Sequence, residues 1–289
     1  MGWREVVVNS SCKISVASNY LIIRAEETKK IHLLEIHYLL IACPDVNITG
    51  VALCELARNK IKVVFCDEKH NPYGELVNYY GSCNCSKKIR QQIAWSEDVK
   101  TSVNTLIIYR KIVNQAALLA KYGFEERAET LYSYASEIAL NDATNREGHA
   151  AKVYFNTLFG NGFSREIRTD ENAALNYGYS IILSCINREV TANGYLTQLG
   201  INHRNEFNEF NLSCDIIEPF RVIADEYVYN HREKSFDKDY KFGLVDLLNK
   251  KVKLDKEYTL YNAIAESVRS ILSCLTSGEV SGLKLYEFK

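Results

Sequence analysis

Short apolar runs separated by polar residues fill the first 80 residues of the chain. They lie at 6–8, 14–16, 20–24, 36–43 and 61–66. Runs of this length, with asparagine, serine, lysine and proline between them, are typical of strands. These positions therefore predict a small β-rich domain at the N-terminus.

From about residue 86 onward, apolar positions recur at the three- and four-residue spacing of helices. Ser96 followed by two acidic residues is typical of a capped helix start, and Gly160 with Gly162 is typical of a helix end. The charged stretch 231–240 predicts a loop. Helices are predicted at 86–95, 96–122, 125–140, 145–159, 170–193, 215–230 and 258–277, and a short one at 49–58 with Val51, Cys54 and Leu56 pointing inward.

These two patterns predict an α+β chain. A small N-terminal β-rich domain at 1–80 is followed by a joint at 81–95 and a larger all-α C-terminal domain at 96–289. A chain of 289 residues is long enough for two such domains and buries enough surface to fold without disulfides or structural metals.

Charge and cysteine content narrow the class of protein. A formal net charge of −1 counts against a protein that coats nucleic acid non-specifically. It does not exclude a DNA enzyme, because a local basic surface can coexist with acidic regions elsewhere. The nine cysteines include no C-x-x-C pair, so we expect thiols in a reducing cytoplasm. No signal-peptide pattern and no membrane-length apolar run is present, so a soluble cytoplasmic protein without a membrane partner is expected.

Candidate chemistry begins with an acid in the helix predicted at 145–159. Glu147 shares a helical face with Ala150, Ala151 and Tyr154. A carboxylate beside small residues on such a face can be a ligand. The alternative is a first-turn acid that the helix dipole stabilises.

A second acidic segment follows about 70 residues later. Asp215 and Glu218 are three residues apart and would share a helical face, where they repel unless a positive group lies between them. A divalent cation or Arg221 would meet that need. His203, in a stretch rich in glycine and asparagine, is either a further ligand or a hydrogen-bonding surface residue.

Taken together, Glu147, His203 and Glu218 form a candidate mixed site, with Asp215 as a possible additional acid. One imidazole among carboxylates favours Mg²⁺ or Mn²⁺ over structural zinc, and such sites are typical of phosphoryl transfer. Nearby basic residues are candidates for contacts to DNA phosphates, or else solvated helix charges. They are Arg146, Lys152, Arg165, Arg168, Arg204 and Arg221.

Several strings of this chain resemble the family of CRISPR-associated protein one, the spacer-acquisition integrase. They are NREGHAAKVYFN at 145–156, NAALNYGY at 172–179 and DIIEPFR at 215–221. The strings GWREVVVN at 2–9 and WSEDVK at 95–100 resemble the type II version. The resemblance runs nearly end to end, and it implies an N-terminal β-domain followed by a helical domain.

The resemblance also implies a site and a reaction. Glu147, His203 and Glu218 match the family's metal ligands and catalytic residues, and Asp215 matches an acid near the metal. The implied enzyme is a DNA integrase and endonuclease that uses Mg²⁺ or Mn²⁺. It joins the 3′-hydroxyl ends of short foreign DNA to a CRISPR repeat by transesterification.

The implied partners are the foreign DNA, the repeat DNA and a second copy of this chain, with dimerisation through the β-domain. A dimer of the smaller CRISPR-associated protein two is also implied, and type II systems add the effector nuclease and a ring-shaped DNA-end-binding protein. Two other functions stay open, namely a metal-dependent nuclease acting on branched DNA in repair and a non-catalytic DNA-binding scaffold subunit.

Overall fold

The computed structural model describes Gly2, residues 4–77 and residues 84–289. The chain divides into two compact units, residues 1–83 and residues 84–289. The boundary predicted at residue 80, the start of the predicted joint, Trp3 and Cys83 lie outside the described residues. The dimerisation role of the first unit stays a prediction.

Strands make up most of the described part of the first unit. They are β1 (Arg4–Val8), β2 (Cys12–Ala17), β3 (Tyr20–Arg24), β4 (Thr28–His32), β5 (Ile36–Ile41), β6 (Val46–Ile48), β7 (Lys62–Cys66) and β8 (Pro72–Glu75), with helix α1 (Gly50–Arg58) between β6 and β7. One sheet has the order β1, β5, β7, β8 and the other the order β4, β3, β2, β6.

The β5 strand shows why its sequence is apolar at every position. It pairs in parallel with β1 on one side and β7 on the other, and all six of its residues are buried. A parallel strand that is covered on both faces reads as a continuous apolar run, as this one does. The second sheet alternates more, since Ile14 is buried and its neighbour Lys13 is exposed.

Helix α1 forms where the sequence predicted it, but with a different inward face. The Thr49 side chain accepts a hydrogen bond from the Ala52 amide and so sets the first turn. Ala52 and Leu56 then point into the core at helical spacing. The expected burial of Leu56 is confirmed, whereas the expectation for Val51 and Cys54 was wrong, because both are exposed.

The second unit is mainly helical. Its elements are α2 (Cys85–Ile93), α3 (Glu97–Lys121), α4 (Glu125–Ser136), α5 (Arg146–Phe159), α6 (Asp170–Ala192), α7 (Asn211–Ile216), α8 (Arg221–His231), α9 (Lys238–Asp246), β9 (Lys251–Lys253), β10 (Glu257–Thr259) and α10 (Leu260–Ser277). Ser96 caps α3 by accepting from the Val99 amide, and α5 ends at Gly160 with φ +97, as their sequences predicted.

Helix α3 anchors the segment that carries one candidate ligand. The Asn114 side-chain amide donates to the carbonyl oxygens of Pro219 (2.8 Å) and Tyr286 (2.9 Å). The Phe288 amide donates in turn to the Asn114 side-chain oxygen at 3.1 Å. This fully buried asparagine therefore holds the turn at Pro219 and the C-terminal tail against the middle of α3.

The second unit departs from the sequence-based expectation in three places. The helix predicted at 215–230 is interrupted, because the 3-10 turn Glu218–Phe220 carries Pro219 in its first turn and separates α7 from α8. The loop predicted at 231–240 is shorter, since α9 begins at Lys238. The unit is also not strictly all-α, since β9 and β10 form an antiparallel hairpin.

The predicted α+β class, with a strand-rich first part and a larger helical second part, is confirmed. Within the described residues, no helix is both long and apolar enough to cross a membrane.

Candidate active site

Glu147 lies in the first turn of α5, where its backbone is fixed by a neighbouring acid. The Asp142 carboxylate accepts hydrogen bonds from the amides of Arg146 (2.7 Å) and Glu147 (2.9 Å). These amides have no partner within the helix, so Asp142 acts as its cap. The Glu147 side chain is then free of capping and reaches the Lys111 ammonium, with Oε1 2.5 Å from Nζ.

Glu218 opens the 3-10 turn before α8, and its side chain is 9% exposed. Arg221 Nε donates to Oε1 at 2.9 Å. The second oxygen, Oε2, lies 2.5 Å from Lys111 Nζ as an ion pair, and it is a buried atom without a hydrogen bond in the described structure. The Pro219 ring removes no donor that a first helical turn would use, so this turn tolerates the proline.

Lys111 therefore lies between the two acids, and the sequence reasoning missed it. Its side chain is 13% exposed and projects from the buried stripe of α3 that includes Ile107, Ile108 and Gln115. Burial lowers its pKa, but the charges of Glu218 and Glu147 outweigh that effect and raise it. A lysine placed on an otherwise buried helical stripe was the signal available in the sequence.

Burial disfavours the charged form of Glu218, but Arg221 and Lys111 outweigh that penalty. Their charges lower the pKa of the carboxyl to about 2. Glu218 is therefore ionised at any physiological pH. A buried carboxylate held in its charged form by two cations retains the capacity to bind a metal ion.

His203 is held by Asp215, which lies in α7 and is buried. Asp215 accepts from the amides of Ile201, Asn202 and His203 and from His203 Nδ1 at 2.6 Å. The bond to Asp215 raises the pKa of His203 most, with burial opposing it and the charges of Glu218 and Glu147 adding to it. With Nδ1 as the donor, the neutral ring presents its lone pair at Nε2.

Gly200 is required for this arrangement. A Cβ atom at that position would lie 2.4 Å from the His203 carbonyl oxygen and 2.9 Å from Asp215 Oδ2. Any side chain would therefore push the 200–203 loop off the Asp215 carboxylate. The His203 side chain is 46% exposed and borders a cleft of about 440 Å³ that Lys100, Leu199 and Asn211 also line.

The residue types fit a hard divalent cation, although the side chains are not gathered around one point. Carboxylates with one imidazole are a donor set for Mg²⁺ or Mn²⁺, and Glu218 Oε2 is a buried oxygen that already pairs with a cation. Within the described part of the chain, no three His, Cys, Asp or Glu side chains are placed to hold a metal ion. Between Glu147 and Glu218 lies the Lys111 ammonium instead.

The four predicted site residues thus divide into two pairs. Glu147 and Glu218 meet at Lys111, while His203 and Asp215 meet each other. Asp215 lies in α7 and Glu218 in the 3-10 turn that follows, and the two carboxylates have separate partners. The helical face that they were expected to share stays a prediction. Arg221 pairs with Glu218. This is one of the two ways, a divalent cation or Arg221, in which the sequence allowed the acidic segment to be neutralised.

Most of the basic residues proposed for DNA contact have protein partners. Arg146 pairs with Glu137 and Arg204 with Glu97. Arg165 donates to the side chains of Asn172 and Asn176, and Arg221 to Glu218. Lys152 and Arg168 are exposed. Contact of any of the six with DNA stays a prediction.

A second buried carboxylate lies close to the first. Asp225 in α8 accepts hydrogen bonds from the hydroxyls of Tyr154 (Oδ2, 2.8 Å) and Tyr179 (Oδ1). We call Tyr154, Tyr179 and Asp225 the Asp225 cluster. Burial raises the pKa of Asp225 to about 6, although both hydroxyls and Arg221 oppose the shift. The Arg221 guanidinium lies over the Tyr179 ring, 4.6 Å from its centre.

Comparison with known protein sequences gives one family. The sequence model described as CRISPR associated protein Cas1 matches residues 6–256. The CRISPR-associated endonuclease Cas1 of Neisseria meningitidis serogroup C (strain 8013) is 32% identical, over 99% of this chain and 97% of the relative.

Solved structures share the fold. A casposase bound to integration product has a TM-score of 0.78 at 19% identity, covering 96% of this chain and 92% of its own. A Cas6-RT-Cas1–Cas2 complex has a TM-score of 0.76 at 19% identity, covering 98% of this chain but 36% of that longer chain. At these identities the likeness concerns the fold alone.

Proposed function

Because the chain belongs to the family of CRISPR-associated protein Cas1, we propose that it is a DNA integrase and endonuclease of CRISPR adaptation. The observation that carries the proposal is that Glu147 and Glu218 both pair with the Lys111 ammonium, beside the His203–Asp215 pair. The relative from Neisseria meningitidis is named an endonuclease, and the casposase structure holds an integration product.

The residues that would hold Mg²⁺ or Mn²⁺ are Glu147, Glu218 and His203 through Nε2. Asp215 fixes the ring of His203 from the far side, a supporting role typical of metal-bound histidines. When bound, the cation supplies stabilisation of charge on the phosphoryl group and a lower pKa for an attacking hydroxyl. Arg221 keeps Glu218 oriented through its bond to Oε1.

The proposed reaction is a phosphodiester exchange. The 3′-oxygen of a short foreign DNA forms a bond to phosphorus at the edge of a repeat, while the bond to the repeat's own 3′-oxygen breaks. The proton of the attacking hydroxyl leaves as the departing oxygen gains one, so the reaction needs no oxidant and no covalent protein intermediate. The chain contributes orientation of the two oxygens in line.

The proposed partners follow from charge and from the named neighbours. With a net charge of −1, this chain lacks the positive charge expected of a protein that holds DNA by itself. We therefore propose that it holds DNA jointly with other subunits. A structural neighbour is a complex with Cas2, and we propose that two dimers of this chain clamp a Cas2 dimer. The type II effector nuclease and the ring-shaped DNA-end-binding protein are further proposed partners.

The test is joining of a short duplex to a repeat-bearing plasmid in vitro, with the Cas2 partner and Mn²⁺. We expect Glu147→Gln to abolish joining and Glu129→Gln, an exposed acid of α4, to leave it unchanged. Full joining by Glu147→Gln would contradict the proposed site. Cleavage of branched DNA without joining would favour the repair nuclease, and DNA binding without either reaction would favour the scaffold.

A further inference from the structure

Lys111 is a nearly buried cation that the proposed reaction does not use. Its ammonium lies 2.5 Å from Glu147 Oε1 and 2.5 Å from Glu218 Oε2. The two oxygens are therefore at most about 5 Å apart, with a single positive charge between them. The carboxylates are already drawn together, and Lys111 is what draws them.

The position of the ammonium is also the position that a shared metal ion would need. A divalent cation held by both Glu147 and Glu218 would need the space between their oxygens, which Nζ now fills. Two cations cannot share that point. If Glu147 and Glu218 are ligands of one ion, the ammonium has to leave first.

We propose that Lys111 is a positioning residue that stands in for the divalent cation and is displaced when that cation binds. The proposal rests on the proposed function, because it requires the metal site. In the absence of a divalent cation, Lys111 limits the repulsion between the two carboxylates. Its flexible four-carbon stem allows the ammonium to move without movement of α3.

Arg221 makes the exchange energetically feasible. Its Nε bond to Glu218 Oε1 involves the opposite oxygen from the one that faces Lys111. If Lys111 moved away, the buried carboxylate would still pair with Arg221 through Oε1, and Oε2 would be open to a cation. The buried acid is compensated at every stage, which avoids the cost of an unpaired buried charge.

Two variants and a matched control test the competition. The dissociation constant for Mn²⁺ is measured without DNA, from the electron paramagnetic resonance signal of free Mn²⁺, for wild type, Lys111→Gln, Lys111→Arg and Lys121→Gln. Lys121 lies on the same helix and pairs with Glu226, so its substitution removes a lysine–glutamate pair away from the site.

We expect Lys111→Gln to bind Mn²⁺ about tenfold more tightly, because no cation has to be displaced. Lys111→Arg keeps the charge and should stay near wild type, as should Lys121→Gln. Equal dissociation constants for wild type and Lys111→Gln would overturn this inference while the metal site stands. Absence of Mn²⁺ binding by every chain would overturn the proposed metal site and this inference with it.

Displacement itself is measured on the wild-type chain, which keeps the inference testable if Lys111→Gln does not fold. Lysine acetylation by a water-soluble ester is quantified by mass spectrometry with and without Mn²⁺. We expect several-fold more modification of Lys111 when Mn²⁺ is bound and no change at Lys121. Unchanged modification of Lys111 under conditions where Mn²⁺ binds would contradict its displacement.

Discussion

Glu218 and Asp225 are buried carboxylates seven residues apart in the chain, but their partners differ in charge. Cationic side chains pair with Glu218, whereas neutral hydroxyls donate to Asp225. Glu218 faces Arg221 and Lys111, and its pKa falls to about 2 despite burial. Asp225 faces the hydroxyls of Tyr154 and Tyr179, and burial raises its pKa to about 6. Both carboxylates are buried, but the partners of Glu218 keep it ionised, whereas Asp225 is a weaker acid.

The difference separates a carboxylate that can exchange partners from one that cannot. An ammonium on a flexible stem can be replaced by a metal ion of greater charge. The tyrosine hydroxyls come from buried rings of α5 and α6, and their departure would break the core. Glu218 therefore has the environment of a ligand, whereas Asp225 has the environment of a structural acid.

Arg221 connects the two. Its Nε donates to Glu218, and its guanidinium lies over the ring of Tyr179, which in turn donates to Asp225. Asp225 can thus influence the site through packing, while its own hydrogen bonds come from the two tyrosine hydroxyls.

The largest expected contrast is in activity. Glu218→Gln keeps the shape but removes the charge, so we expect strand transfer to fall at least about 100-fold. Asp225→Asn should stay within about threefold of wild type, because Asp225 touches neither metal nor DNA in the proposed mechanism. Both are measured by joining in vitro at saturating Mn²⁺, with circular dichroism to confirm folding. An equal loss in both variants would remove the distinction between the two carboxylates.

The sequence predicted the architecture well because local signals agree with the tertiary structure. The apolar run of β5 and the Ser96 cap of α3 each indicate an element without reference to distant residues. The β9–β10 hairpin was missed, because the alternation of a three-residue strand such as Lys251–Lys253 is too short to predict a strand.

The site was less predictable. Each candidate residue had a structural alternative of similar weight. Only the sequence strings that resemble the family pointed to Glu147, His203 and Glu218 as metal ligands. Asp215 illustrates the limit, since its spacing from Glu218 does not reveal that its carboxylate holds the 201–203 loop. Lys111 lies on α3, far from both acids in the chain, and only tertiary packing brings the three together.

The next contrast is in stability. Asp225→Ala leaves two buried tyrosine hydroxyls without an acceptor, so we expect a loss of about 3 kcal/mol in the free energy of unfolding. Tyr154→Phe removes one hydroxyl and leaves Asp225 one donor, and it should cost about 1 kcal/mol. Both are read from the urea transition of helical circular dichroism. A loss no larger for Asp225→Ala than for Tyr154→Phe would show that the cluster does not act as a unit.

The smallest contrast is in the pH dependence of stability. Asp225 has a higher pKa in the folded chain, about 6, than its ordinary value of 3.8, so the folded state binds this proton more tightly. Its ionisation therefore favours the unfolded state, and the contribution of Asp225 to stability falls as pH rises from 3.8 through about 6. Between pH 5 and pH 7 this amounts to about 1 kcal/mol, which Asp225→Asn should abolish. The pKa of His203 is also raised, but His203 is present in both wild type and Asp225→Asn. The difference between their urea midpoints therefore isolates the contribution of Asp225. If wild type and Asp225→Asn lose stability in parallel across this range, Asp225 is ionised as readily as Glu218, and the hydroxyl partners do not distinguish the two carboxylates.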